Sequence, residues 1–96
     1  MSMNHKDIIV LTGAGQLGIA IVRRMAYGKK IFVADWKMEN AQAITQTLVE
    51  AGFDAVPFKT DISDRNSILE LIRAAQKEGE IAMLINAAGL SPSQST

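Results

Sequence analysis

Three glycines within six residues, Gly13-Ala14-Gly15-Gln16-Leu17-Gly18, are the part of this chain whose spacing most directly implies chemistry. Set between a strand and a helix, G-x-G-x-x-G makes a phosphate cradle. Its first glycine permits a tight turn, its second lets a pyrophosphate approach the main chain, and its third lets the helix pack closely on the sheet. The helix start then offers unpaired N–H groups and about half a positive charge to the phosphates, so no cationic side chain is required. Gln16 and Leu17 fall inside the same predicted cofactor-binding loop as Gly13, Gly15 and Gly18. The alternative is a glycine-rich turn that binds nothing.

Asp35 follows Gly13 by 22 residues, where an acidic residue at the end of the next strand can accept hydrogen bonds from an adenosine ribose. Two unit charges about 4 Å apart interact by roughly 4 kcal/mol at an effective dielectric near 20, and by less at an exposed site. A ribose 2′-phosphate is therefore disfavoured beside Asp35, and the expected cofactor is NAD rather than NADP, with Lys37 near enough to soften that preference. Trp36 either packs beside the adenine or covers the sheet edge. Asp61 and Ile62 offer a carboxylate to an adenine amine and an apolar wall beside it; alternatively Asp61 joins Ser63 and Asp64 in a local capping turn. Asn86-Ala87-Ala88-Gly89 supplies small residues at the end of a further strand, leaving room for a cofactor or forming an ordinary turn.

The elements that must position these residues alternate along the chain. Asp7 to Thr12 is a short apolar run of the kind buried on both faces of a parallel sheet. Gln16 to Tyr27 carries Leu17, Ala20, Ile21 and Met25 at helical spacing, with Arg23 and Arg24 in its last turns and Gly28 as a stop. Lys30 to Asp35 predicts a second strand. Met38 to Ala51 predicts a second helix burying Ala41, Ile44, Leu48 and Ala51, with Gly52 as its stop. Ala55 to Phe58 is an edge strand, because Pro57 lacks a ladder donor. Ser63 is the expected N-cap of a third helix with Ile68, Leu71, Ile72 and Ala75 on one face, ending at Gly79. Ile81 to Asn86 is the fourth strand.

The order β-α-β-α-β-α-β with right-handed crossovers gives an α/β fold, a partial doubly wound Rossmann sheet with strand order 3-2-1-4. Two helices then share one face and the third lies on the other, which it cannot cover alone. The chain reads as truncated after its fourth strand: residues 1–90 form a dinucleotide-binding domain and residues 91–96 a tail.

Composition narrows the function further. At 96 residues and with 48% hydrophobic residues the chain is expected to be one small globular domain or part of one. Ten basic residues balance ten acidic ones, so the broad positive field of a nucleic-acid binder is missing. The chain has no cysteine and one histidine, which argues against a metal site and against His-based catalysis. No apolar run approaches the roughly 20 residues of a membrane span, and no signal peptide is recognisable, so the expected location is the cytoplasm.

Together Thr12 to Gly18, Asp35, Asp61-Ile62 and Asn86-Ala87-Ala88-Gly89 resemble the N-terminal cofactor half of the short-chain dehydrogenase/reductase family, over residues 7 to 90. The Asn-Ala-Ala-Gly stretch is a close variant of that family's Asn-Asn-Ala-Gly motif. The glycine loop is one residue shorter than the usual Thr-Gly-x-x-x-Gly-x-Gly, which suggests a divergent member. The resemblance implies an NAD(P)-dependent oxidoreductase in which Asp61 binds the adenine amine, Ile62 lines its pocket, and Asn86 to Gly89 stabilise the sheet beside the cofactor.

The family's catalytic Ser and Tyr-x-x-x-Lys lie beyond the fourth strand. Tyr27, the only tyrosine, is followed four positions later by Ile31, so no catalytic residue is assigned and the chain is expected to be inactive alone. The other reading is a stand-alone nucleotide-binding or oligomerisation module with a vestigial cofactor site. In either case the exposed sheet face or fourth-strand edge is expected to form a homo-oligomer hiding Ile81, Met83, Leu84 and Ile85.

Overall fold

A computed structural model describes residues 7–13 and 16–86 of the chain. Seven elements alternate: β1 (Ile8–Thr12), α1 (Gln16–Met25), β2 (Lys30–Asp35), α2 (Met38–Glu50), β3 (Asp54–Lys59), α3 (Arg65–Glu78) and β4 (Ile81–Asn86). All strand pairs are parallel and the order is β3-β2-β1-β4, the Rossmann-like topology expected from the alternation of elements.

The two central strands show why their sequences are apolar throughout. Every residue of β1 is buried, and so are Ile31 to Asp35 of β2, because helices cover both faces. Odd-numbered Ile9, Leu11, Ile31 and Val33 pack with Val22 of α1, with Ala26 just after it, and with Ala41, Ile44 and Leu48 of α2. Even-numbered Ile8, Val10, Phe32 and Ala34 pack with Leu71 and Ala75 of α3. Strand β3 lies at one edge, where Pro57 is tolerated. Strand β4 lies at the other. A register shift between Ile8 and Ile9 turns Ile81 toward the α3 cluster and Met83 toward the α1/α2 cluster.

Helix α2 ends in a Schellman arrangement. Gly52 N–H donates to the Val49 carbonyl at 3.0 Å and Phe53 N–H to the Leu48 carbonyl at 3.0 Å. Gly52 takes φ +97° there, a conformation that disfavours residues with a Cβ.

Three local expectations are corrected. The buried residues of α1 are Gly18 and Val22, continued by Ala26 just past its end, whereas Ala20 and Met25 face solvent. Ile19 and Ile21 are partly buried against the same cluster. The N-cap of α3 is Asp64, whose carboxylate accepts from Asn66 N–H at 3.0 Å. Ser63 lies one residue before the cap, and its hydroxyl donates to Asp61. The buried set of α2 contains Thr45 in place of Ala51, which is the exposed C-cap.

Candidate functional site

The carboxyl ends of β1, β2 and β3 converge on a cleft of about 300 Å³ lined by Gly13, Ala34, Asp35, Trp36, Asn40, Thr60, Asp61 and Ile62. Five residues singled out in the sequence, Gly13, Asp35, Trp36, Asp61 and Ile62, therefore meet in one place although they come from three separate segments. Ala34, Asn40 and Thr60 complete the wall without having been foreseen.

Gly13 opens the turn after β1 with φ +83°, and its N–H donates to the Ala34 carbonyl at 3.1 Å. An L-residue with a Cβ loses about 1–2 kcal/mol in that conformation, which accounts for glycine as the first residue of the loop. Asp35 closes β2 with only 7% of its surface exposed. Its Oδ1 accepts from Lys37 N–H at 3.1 Å, and its carbonyl accepts from Thr60 N–H at 2.8 Å. The carboxylate is thus fixed to its own turn while the main chain ties β2 to the end of β3.

Trp36, 63% exposed, stands at the rim of the cleft. The Lys37 ammonium lies 4.9 Å from its ring centroid, within range of a cation–π contact. This places the cation beside the tryptophan at the same rim.

Asp61 sits on the loop between β3 and α3. Its N–H donates to Ser67 Oγ at 2.9 Å, and its Oδ1 accepts from Ser63 N–H at 3.0 Å and from Ser63 O–H at 2.6 Å. These bonds hold its carboxyl below the ordinary value of 3.8, the Ser63 hydroxyl contributing most and the Ser63 amide next, against a small opposing desolvation. Both sequence alternatives for Asp61 meet here: it forms a local turn with Ser63, and it lines the cleft.

Thr60 completes this part of the wall. The residue is 1% exposed, and its Oγ1 is buried with no hydrogen-bond partner among the described residues. A buried orphan hydroxyl costs free energy, and this one belongs to the cleft wall.

The remaining predicted residues lie apart. Asn86 ends β4, where its Oδ1 accepts from Thr12 Oγ1 at 3.1 Å, joining β4 to β1. It lines a second, apolar groove of about 350 Å³ on the α3 face, with Ile68, Leu71, Ile72, Ile81 and Leu84 among its neighbours. Gly18 is buried in α1. Gln16 and Leu17 begin that helix. Gly15, Ala87, Ala88 and Gly89 lie outside the described residues. No group of acidic, histidine or cysteine side chains suited to a metal ion occurs among the described residues, and no helix among them is long and apolar enough to cross a membrane.

A parallel sheet ordered 3-2-1-4, with a glycine turn and a buried carboxylate at the strand ends, defines a nucleotide-binding α/β protein. The short chain dehydrogenase family model matches residues 7–96, and the chain belongs to that family. It is 35% identical over 91 residues to a short-chain dehydrogenase/reductase of Alternaria brassicicola, covering 95% of this chain and 33% of that protein. It is 34% identical over 92 residues to the 7alpha-hydroxysteroid dehydrogenase of Bacteroides fragilis, covering 93% of this chain and 36% of that protein. The chain therefore spans about a third of the length of these curated relatives.

Among solved structures, actinorhodin polyketide ketoreductase with NADPH matches with a TM-score of 0.77 and 27% identity, over 90% of this chain and 34% of that one. A short-chain dehydrogenase/reductase from Burkholderia phymatum in complex with NAD matches with a TM-score of 0.71 and 28% identity, over 88% of this chain and 31% of that one.

Proposed function

We propose that residues 1–90 form the dinucleotide-binding region of an NAD-dependent oxidoreductase, with residues 91–96 as a tail, and that the cleft receives the adenosine of NAD in preference to NADP. The observation that carries this reading is the position of Asp35: a nine-tenths buried carboxylate in the same cleft wall as Gly13, Asp61 and Ile62. Its negative charge favours a ribose diol and opposes a 2′-phosphate. The cleft volume lies at the lower end of the range for ligand pockets, and the unpartnered Thr60 hydroxyl marks its wall as unsatisfied.

The roles divide along the chain. Gly13, Gly15 and Gly18, with Gln16 and Leu17, form the pyrophosphate loop at the start of α1. Asp35 accepts from the ribose, Trp36 and Ile62 flank the base, and Asp61 accepts from its amine. Asn86, Ala87, Ala88 and Gly89 hold the sheet beside the cofactor. When bound, the nicotinamide supplies hydride chemistry; the residues named here bind and orient, and none of them is assigned a proton transfer. Relatives bind NAD or NADPH, which supports the cofactor class, while the preference within it rests on Asp35. The chain is read as cytoplasmic.

A second reading concerns assembly. Leu84 is 66% exposed on edge strand β4 beside the apolar groove, and this favours a homo-oligomer formed through that face.

Titration of the chain with NAD and, separately, NADP, following Trp36 fluorescence, tests the cofactor reading. A saturable response at lower NAD than NADP concentration is expected. Equal responses remove Asp35 from its selective role, and the absence of binding of either dinucleotide by calorimetry overturns the cofactor site.

A further inference from the structure

Asp61 presents a puzzle of order. It is exposed and lies on a loop, where a carboxylate ordinarily samples several rotamers in water, and yet both its ends are tied down. The main-chain N–H is held by Ser67 Oγ in the first turns of α3, and the main-chain carbonyl accepts from Asp64 N–H at 2.9 Å. The side chain is held by two donors from Ser63. The 2.6 Å contact from the Ser63 hydroxyl is in the short range of charge-assisted O–H···O⁻ bonds. Both Ser63 donors converge on Oδ1. Oδ2 receives no bond from any described residue, while Asp61 itself lines the cleft.

We propose that Ser63 and Ser67 are positioning residues that fix which oxygen of Asp61 faces the cleft, and that they thereby make the site select a base carrying an amine over one carrying a carbonyl at the same position. The inference rests on the reading of the cleft as an adenosine site.

An ionised carboxylate is an acceptor only. Adenine presents an exocyclic N–H₂ donor, whereas an oxo-purine presents a carbonyl oxygen there. A freely rotating carboxylate gains little from this difference, because ordering it on binding offsets the bond it makes. A carboxylate already held by Ser63 is preorganised for the amine and repels the carbonyl. Asp61 is ionised at neutral pH, as an ordinary carboxylate is.

The test is calorimetric titration of the 96-residue chain with NAD and with nicotinamide hypoxanthine dinucleotide, which differs by a carbonyl in place of the amine. The unsubstituted chain is expected to favour NAD by about tenfold, the lower end of what a hydrogen bond to a charged group supplies. Ser63→Ala should bring the ratio toward one by weakening NAD, Ser67→Ala should lower it part of the way, and Ser63→Thr should retain it.

Asp61→Asn gives the sharpest readout. The two Ser63 donors demand the amide oxygen, so the amide N–H₂ is left facing the cleft and the preference should reverse toward the hypoxanthine dinucleotide. This reversal should weaken without vanishing when Ser63→Ala is added, because the Ser63 N–H still holds the amide oxygen after the hydroxyl is lost. A merely structural turn predicts no reversal, since the amide would flip freely. An unreversed Asp61→Asn ratio, or equal weakening of both dinucleotides by Ser63→Ala, overturns the positioning role while leaving the cofactor site intact. Failure of the unsubstituted chain to bind either dinucleotide overturns both.

Discussion

The two faces of the sheet are built from the same strands and are covered very differently. On the α1/α2 face, two helices close over Ile9, Leu11, Ile31 and Val33, and even Ile85 of the edge strand β4 is buried. On the α3 face, one helix covers the centre through Leu71 and Ala75. Ile68 and Ile72 are half-buried, and Leu84 stands open across an apolar groove. Strand composition alone does not distinguish these faces, because Val10 and Leu11 are equally apolar. What separates them is how many helices each crossover direction delivers. The candidate cofactor cleft lies where the strand ends meet the loop leading to α3, so a loop that crosses from one face to the other supplies part of its wall.

The largest test of this difference is a matched pair of leucine truncations. Leu48 is fully buried on the closed face, and Leu48→Ala should cost about 3–4 kcal/mol through lost burial and the cavity left behind. Leu71 is nearly as buried but borders the groove, so the space left by Leu71→Ala opens toward solvent and should cost nearer 2 kcal/mol. Urea unfolding of both variants gives the comparison. Equal costs, or a larger loss at Leu71, would mean that the α3 face is as tightly closed as the other.

The helix of the open face should also depend more on its own ends. Asp64 caps α3 through Asn66 N–H, while α2 has Lys37 at its N-cap with no side-chain bond. Asp64→Ala should therefore cost about 1 kcal/mol in thermal or urea unfolding, whereas Lys37→Ala should cost much less at the equivalent position of α2. Similar losses at both caps would remove the distinction.

This asymmetry also explains what could be read from the sequence. The strands, the helices and their order follow from short apolar runs alternating with helical spacing, and the handedness rule then orders the sheet. The buried face of α1 followed only in part: Ile21 packs against the core, whereas Ala20 and Met25, apolar by residue type, face solvent and Gly18 and Val22 are buried. Asp35 was legible because its distance from the glycine loop is fixed by one helix and one strand. Thr60 and Asn40 carried no such signal: one joins the cleft through main-chain pairing of β2 with the end of β3, the other by lying in the first turn of α2. Ser63 was expected as the cap of α3 or as a partner of Asp61 in a local turn, and the structure shows the second, with its hydroxyl donating to Asp61.

A smaller effect on stability, but a direct readout of the open face, is expected at Leu84. Its side chain is largely exposed in the single chain, so Leu84→Ser should change monomer stability by no more than about 0.5 kcal/mol. If copies associate through this face, the same change should lower the mass measured by light scattering from oligomer to monomer. An unchanged oligomer would place the contact elsewhere, and a monomeric unsubstituted chain would remove the proposed assembly.

The smallest expected effect lies in the turn that leads into the open-face helix. Asp61 has a folded pKa below its ordinary value of 3.8, chiefly through the Ser63 hydroxyl. The folded state therefore binds this proton less readily than the unfolded state. The resulting stabilisation is fully present above that ordinary value and is lost as pH falls toward and through the lowered folded value. Because Asp61 is exposed, the effect on global unfolding should be slight, and its site-resolved carboxyl titration by NMR is the suitable measurement. Ser63→Ala should move that titration upward toward the ordinary value, while Leu48→Ala, acting on the opposite face, should leave it in place in the folded population. An unmoved titration in Ser63→Ala would show that the hydroxyl does not hold the carboxylate, and it would detach this turn from the ordering of the cleft.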